Sequence, residues 1–177
     1  MLNNLREICN HYHVTGEDYE MARQIVGSGY KTADLVIAPD DSPYLYRWHV
    51  VPHNKTGNVY FHIQVADDPE RPLHDHPWAN QSVILAGAGY IEHYANIDDD
   101  GHIMPSHIRW GFVSDTIQRP ADQAHRLTMM PGEKHYTMTL FSTGPKIRKW
   151  GFWYPEGWVD ADDVCKLEGN ISTHVKR

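Results

Sequence analysis

The strongest constraint on this chain is a change of hydrophobic period near residue 35. From Leu35 to about Tyr154 the apolar residues fall into short β-like runs separated by turn clusters. The runs are Tyr44–Val51, Val59–Val65, Gln81–Leu85, Tyr90–Tyr94, His107–Phe112, Ala124–Met129, Tyr136–Phe141 and Trp150–Tyr154. The turn clusters include 40–43 (Asp-Asp-Ser-Pro), 53–57, 66–72, 98–101, 130–133 and 143–145. Short strands with turns every ~8–15 residues argue for a sandwich or barrel and against βαβ units.

Ahead of this region the pattern is helical. Leu2, Leu5, Ile8 and Cys9 recur near helical spacing, Thr15 is placed to cap a second segment, and Gly27-Ser28-Gly29 ends it. Tyr19, Met21, Ala22, Ile25 and Val26 give that second segment an apolar side. The expected organisation is a helical segment over 1–34 packed on a barrel over 35–158. A mixed, polar tail over 159–177 reads as a short helix followed by loose chain.

Composition narrows the function. The chain has 177 residues, 41% of them hydrophobic and 22% charged, which suits one folded domain. Its 16 basic against 23 acidic residues give a net charge of −7, which disfavours nucleic-acid binding driven by global charge. No apolar run reaches the ~18 residues of a membrane span, and MLNNLREICN has no signal-peptide core. The only cysteines, Cys9 and Cys165, form no C-x-x-C. That excludes a disulfide scaffold or a cysteine zinc site and makes a reducing cytoplasm the expected location. The 13 histidines are the first sign of chemistry.

The sharpest local feature is Pro72-Leu73-His74-Asp75-His76-Pro77-Trp78. On a strand, positions i and i+2 face the same way, so His74 and His76 project together. Paired imidazoles inside a barrel suit a divalent transition metal; the alternative is two surface histidines. A β run and then Gly87 and Gly89 follow, and much further on stands Pro120-Ala121-Asp122-Gln123-Ala124-His125.

This layout resembles the two motifs of the cupin superfamily, G-x5-H-x-H-x(3,4)-E-x6-G and G-x5-P-x-G-x2-H-x3-N. His74, His76, Gly87, Pro120 and His125 fall on motif positions. The phrases LHDHPW, Tyr-x-Glu-His, Arg-Pro-Ala-x-x-Ala-His-Arg and Trp-Gly-Phe-Trp resemble those of small cupin-like proteins. The resemblance implies a mainly β, cupin-type double-stranded β-helix, and a homodimer joined through edge strands.

Departures from the motifs shape the expected site. The motif glutamate falls at Asn80 or Gln81, the second glycine is Asp122, and the final asparagine is Met129. The implied metal set is His74, His76 and His125, with Gln81 or Asn80 as a weak fourth donor. Fe²⁺ is the first expectation, with Mn²⁺, Ni²⁺ or Zn²⁺ as alternatives. Three neutral imidazoles leave the ion's charge uncompensated and positions open for substrate. Such a centre resembles those of thiol and diketone dioxygenases among cupins; the alternative is a weakened or lost metal site. Because the ligands must be deprotonated, affinity is expected to fall as pH drops through ~6.5. The facial triad of 2-oxoglutarate oxygenases is disfavoured, since His76 stands where its carboxylate belongs.

The expected activity is a metal-dependent reaction on a small polar molecule, with dioxygenase chemistry preferred. The alternatives are a non-catalytic small-molecule or sugar-binding cupin, and a metal-independent sugar epimerase or isomerase using His93 or His125 as base. His93 lines the pocket or satisfies a buried hydrogen bond. Arg47 is an inward anion anchor or a solvated strand charge. Arg126 should face away from His125 by strand alternation. The Trp150, Phe152, Trp153, Tyr154 and Trp158 cluster is expected to close a barrel end or pack on the N-terminal helices. The Asp98–Gly101 stretch reads as a hairpin turn, not a calcium loop. The Asn170-Ile171-Ser172 sequon carries no meaning without a secretory signal.

Overall fold

The computed structural model describes residues 2–38, 42–69, 71–167 and 173–174. Part of the expected 40–43 turn, the 170–172 sequon and the final residues of the tail lie outside the described residues. Two helices open the chain, α1 (Leu5–His11) and α2 (Gly16–Val26). The Asn4 side chain caps α1 by accepting from the Glu7 N–H at 3.0 Å. Thr15 sits at the N-cap of α2 but makes no side-chain cap bond. Gly27 ends α2 in the left-handed region at φ +89°.

The strands are β1 (Leu35–Ile37), β2 (Leu45–His49), β3 (Asn58–Gln64), β4 (Asn80–Gly87), β5 (Tyr90–Ala95) and β6 (His107–Gly111). They continue with β7 (Thr116–Arg119), β8 (Ala124–Met129), β9 (Thr137–Thr143), β10 (Gly151–Tyr154), β11 (Gly157–Asp160) and, after α3 (Ala161–Leu167), β12 (Thr173–His174). Each run read from the sequence contains a strand. The additional ones, β1, β7, β11 and β12, have four residues or fewer, too short for alternation to show.

The first sheet has the order β12-β1-β2-β3-β9-β4-β7; β6-β5-β8 and β10-β11 form the others. Residues 73–76 join these two smaller sheets. His74 bridges to His125 of β8 and to Phe152 of β10. Its backbone exchanges two hydrogen bonds with His125 (3.0 and 2.8 Å), while the Trp153 N–H reaches Leu73 O at 2.8 Å. With this segment counted as a strand, β3-β9-β4-β7 faces 73–76-β8-β5-β6. That is the interleaved order of an eight-stranded jelly roll, the cupin-type double-stranded β-helix expected from the sequence.

The two faces of the larger sheet differ in chemistry. Tyr46, Trp48, Phe61, Ile63 and Met138 pack outward with Leu5, Ile8, Ala22 and Val26 of the helices, forming the main apolar core. The alternating inward positions carry Arg47, Tyr60, His62, Asn80, Ser82, Thr139 and Phe141, so the barrel interior is polar and aromatic. Gly87, on a motif position, has φ +98°, and a Cβ there would lie 2.1 Å from Tyr136 O. Among the described residues no helix is long and apolar enough to cross a membrane.

Asp18 fastens α2 to the start of β9. Its Oδ2 accepts from Lys134 Nζ at 2.8 Å and from the Tyr136 hydroxyl at 2.5 Å. Partial burial raises the pKa of Asp18, but these donors outweigh it and hold the carboxyl below its ordinary value. A depressed folded pKa stabilises above the unfolded value of about 3.9 and loses that contribution as pH falls through the folded value. Asp18→Asn is therefore expected to cost about 1 kcal/mol at neutral pH, discounted for the half-exposed lysine. Urea unfolding should show that difference at pH 7 and little of it in strong acid.

Candidate functional site

The 73–76 segment is held from both sides, and its residues divide by face. Asp75 points away from the barrel interior and is fully enclosed. Its carboxylate accepts from the Gly151 N–H (2.8 Å), Trp153 Nε1 (3.2 Å) and Trp158 Nε1 (3.0 Å), and pairs with Arg148 at 2.9 Å. Four donors on one side chain fix the strand against β10 and β11. His74 and His76 consequently turn inward together. The aromatic cluster therefore does not pack on the N-terminal helices. Trp153 and Trp158 hold Asp75, Phe152 packs with Ala161 and Val164, and Trp150 lines a cavity.

His125 completes a triad. Ligand-capable atoms of His74, His76 and His125 all lie within 4.8 Å of one another, and the Nε2 atoms of His76 and His125 are 2.8 Å apart. The opposite nitrogen of His125, Nδ1, sits 2.9 Å from Glu92 Oε1. A carboxylate at Nδ1 favours the tautomer with its proton there, leaving the Nε2 lone pair directed at His76.

Glu92 is the residue that the sequence reading missed. It is wholly buried at the centre of β5. Arg119 Nε donates to Oε1 at 2.5 Å, and Arg109 donates to Oε2 from Nε (3.0 Å) and Nη2 (2.6 Å). Arg119 in turn donates to Ser82 Oγ (2.9 Å), Asn80 Oδ1 (3.3 Å) and the Tyr90 hydroxyl (3.2 Å). Burial raises the pKa of Glu92, but the contacts of His125 and Arg119 overcome it and hold the carboxyl well below its usual range. The available signal was the alternation Tyr90-Ile91-Glu92-His93, which puts Glu92 on the face of buried Tyr90.

The same alternation corrects two expectations. His93 is on the opposite face of β5 from Glu92, cross-strand from Arg126 and Ile108, so it is not brought to the histidines. Gln81 lies on the other face of β4 from Asn80 and Ser82, where it accepts from Gln118 Nε2 at 3.0 Å. Asn80 does face inward, but its Oδ1 is taken by Arg119. Neither amide supplies a fourth donor to the triad. Asp98 closes the expected hairpin turn by accepting from the Asp100 and His102 N–H groups; with those side chains it forms an exposed cluster.

His74 and His76 open onto a cavity of about 420 Å³, also lined by Arg47, Trp78, Trp150 and Phe152. Trp78 stacks on His76 at 4.8 Å, and Trp150 meets His74 edge-on at 6.2 Å. Arg126 lines the same cavity, contrary to the expectation from strand alternation. Arg47 is an inward residue and lines the cavity.

The electrostatics keep the three rings unprotonated. Burial first, then the positive charge of neighbouring groups, pushes the pKa of His74 down to about 3 and that of His76 well below its ordinary value; burial also lowers His125. All three rings are thus neutral at physiological pH and present lone pairs. Two Nε2 atoms at 2.8 Å must share either a proton or a metal ion. The donor set of three imidazoles fits Fe, Mn, Ni, Cu or Zn.

No family model matches the sequence, and no curated protein matches it. Solved structures do. The dimethylsulfoniopropionate (DMSP) lyase DddQ from Ruegeria pomeroyi DSS-3 is 17% identical with a TM-score of 0.48, covering 79% of this chain and 68% of its own. A putative mannose-6-phosphate isomerase from Ralstonia eutropha JMP134 is 18% identical with a TM-score of 0.45, covering 57% and 84%. A cupin superfamily protein from Desulfitobacterium hafniense DCB-2 is 12% identical with a TM-score of 0.38, covering 57% and 77%.

Two predictions follow from the geometry. Depressed histidine pKa values mean that protonation competes with a metal only in acid, so Zn²⁺ affinity measured by competition titration should change little between about pH 7.5 and 6. His125→Ala should remove most of that affinity, and His102→Ala none. Glu92→Gln leaves Arg119 buried without its counter-charge. It should cost about 3–5 kcal/mol in chemical denaturation and weaken metal binding by about 10- to 100-fold.

Proposed function

We propose that this jelly roll is a metal-dependent cupin enzyme acting on a small polar molecule, with dioxygenase-type oxidation as the favoured chemistry. The observation that carries this reading is the convergence of three neutral imidazoles, with no carboxylate among them, two of which line a cavity of ligand-binding size. His74, His76 and His125 would hold the ion. A divalent metal there supplies a Lewis-acid and redox centre whose charge no ligand neutralises.

The remaining residues shape the environment. Glu92 sets the tautomer of His125 and is itself kept ionised by Arg119 and Arg109. Trp78, Trp150 and Phe152 line the cavity beside His74 and His76. Arg47 gives the cavity a fixed positive charge. The epimerase alternative loses its base at His93, which faces elsewhere.

A second reading has one observation in its favour. The 2.8 Å approach of the His76 and His125 Nε2 atoms also satisfies a hydrogen bond between two neutral rings, as expected of a non-catalytic binding barrel without metal. A second copy of the chain remains part of the proposal. Support comes from β6, a sheet edge with Ile108 and Trp110 exposed at 60% and 53%.

The deciding experiment is reconstitution with Fe²⁺, Mn²⁺, Ni²⁺ or Zn²⁺, followed by metal analysis and oxygen-electrode screening with small polar molecules. The expected result is about one equivalent of metal and substrate-dependent oxygen uptake in the Fe²⁺ form that His125→Ala abolishes. Metal content far below one equivalent with every ion would overturn the enzyme reading in favour of the binding barrel.

A further inference from the structure

Among the described residues, Arg47 is a cavity-lining cation without an acidic partner. The other enclosed arginines are paired: Arg119 and Arg109 with Glu92, Arg148 with Asp75. Among the described residues the Arg47 side chain makes one hydrogen bond, from Nε to His62 Nε2 at 2.8 Å, and its guanidinium lies 4.6 Å from the centroid of the Tyr60 ring. Only tyrosines act to raise its pKa, against a larger lowering by burial. Its two terminal nitrogens, Nη1 and Nη2, have no acceptor among the described residues. Arg47 is half-buried, and an anion entering the cavity can take these free donors.

The shape of the free donors narrows the anion. With Nε committed to His62, one guanidinium edge remains, bearing two N–H groups that match the two oxygens of a carboxylate. The ionic residues lining the cavity are three arginines, Arg47, Arg71 and Arg126, against two aspartates, Asp68 and Asp162. Burial pushes the pKa of Asp68 up to about 7, which adds to the positive balance and favours an anionic ligand. No glycine among the described residues lines the cavity, so its described wall lacks the backbone cradle typical of a phosphate seat. Trp78, Trp150 and Phe152 offer an apolar wall between this charge and the histidines.

We propose that the cavity binds a small monocarboxylate with an apolar body, its carboxylate seated on Nη1 and Nη2 of Arg47, and that His62 is a positioning residue for that arginine. The proposal rests on the three-histidine reading only for what happens at the far end of the ligand. His62 is suited to its role because its ring is stacked against Tyr60 (6.0 Å) and Phe141 (5.1 Å), which fixes the acceptor direction. The Arg47 charge reaches the triad, where it is among the influences lowering the His76 pKa.

Calorimetric titration of the metal-free and metal-loaded protein with phenylacetate, phenylacetamide and inorganic phosphate tests this. Phenylacetate is expected to bind about tenfold or more tighter than its neutral amide, with phosphate weaker than phenylacetate. Arg47→Met should erase that ratio. His62→Gln, which keeps an acceptor, should preserve it, whereas His62→Leu should reduce it severalfold. Equal binding of acid and amide, no binding of either, a preference for phosphate, or an unchanged ratio in Arg47→Met would each overturn the proposal. The acid-to-amide ratio in the unmodified protein decides the matter even where a variant fails to fold. Arg47-dependent binding by a protein that takes up no metal would uphold the carboxylate seat while removing the metal-enzyme reading.

Discussion

Glu92 is a carboxylate with no solvent contact, and burying it alone would be strongly unfavourable. It is tolerated because three elements send a positive or polar partner to it: β7 gives Arg119, β6 gives Arg109 and β8 gives His125. Each oxygen is engaged, so the attraction in a low-dielectric interior offsets the lost hydration. The pairing also links the sheets. Arg119 belongs to the larger sheet and Glu92 to the smaller one, and both must be in place before the His125 ring is oriented.

The apolar work of folding is done elsewhere. The largest core lies between the N-terminal helices and the outer face of the β2-β3-β9-β4 region, where Trp48, Phe61, Ile63 and Met138 are sealed from water. A small barrel normally fills its interior with aliphatic side chains. Here the helices supply a second layer, so the inward positions are released for His62, Arg47 and the histidine triad. The interior can hold polar groups and a cavity because stability is drawn from the opposite face of the same sheet.

The strand that carries two of the histidines depends on its neighbours. Residues 73–76 have hydrogen-bonded partners on β8 and β10 but little regular ladder of their own. Asp75 compensates by gathering a backbone N–H, two indoles and an arginine on the face away from the cavity. The alternation His-Asp-His thus performs two tasks at once: the outer residue anchors and the inner pair points at the ligand space. The late tryptophans, distant in sequence, serve that anchor.

The sequence by itself determined the strand periods, the helical opening and the common direction of His74 and His76, because each follows from spacing along a local backbone. His125 was legible through the cupin-like motif, since motif spacing encodes strand order. Which face of a strand is inside was not legible, because alternation fixes the period but not its phase. That is why Gln81 and His93 were read as inward while Glu92, one residue from His93, was passed over. The histidine pKa values shifted for the same reason. An imidazole in isolation titrates near ~6.5, and only the packing of the barrel around His74, His76 and His125 reduces the hydration that would stabilise its charge. The unpaired state of Arg47 among the described residues is likewise a tertiary fact: Asp68 and Asp162 line the same cavity without bonding to its side chain, and no count of charges reveals that.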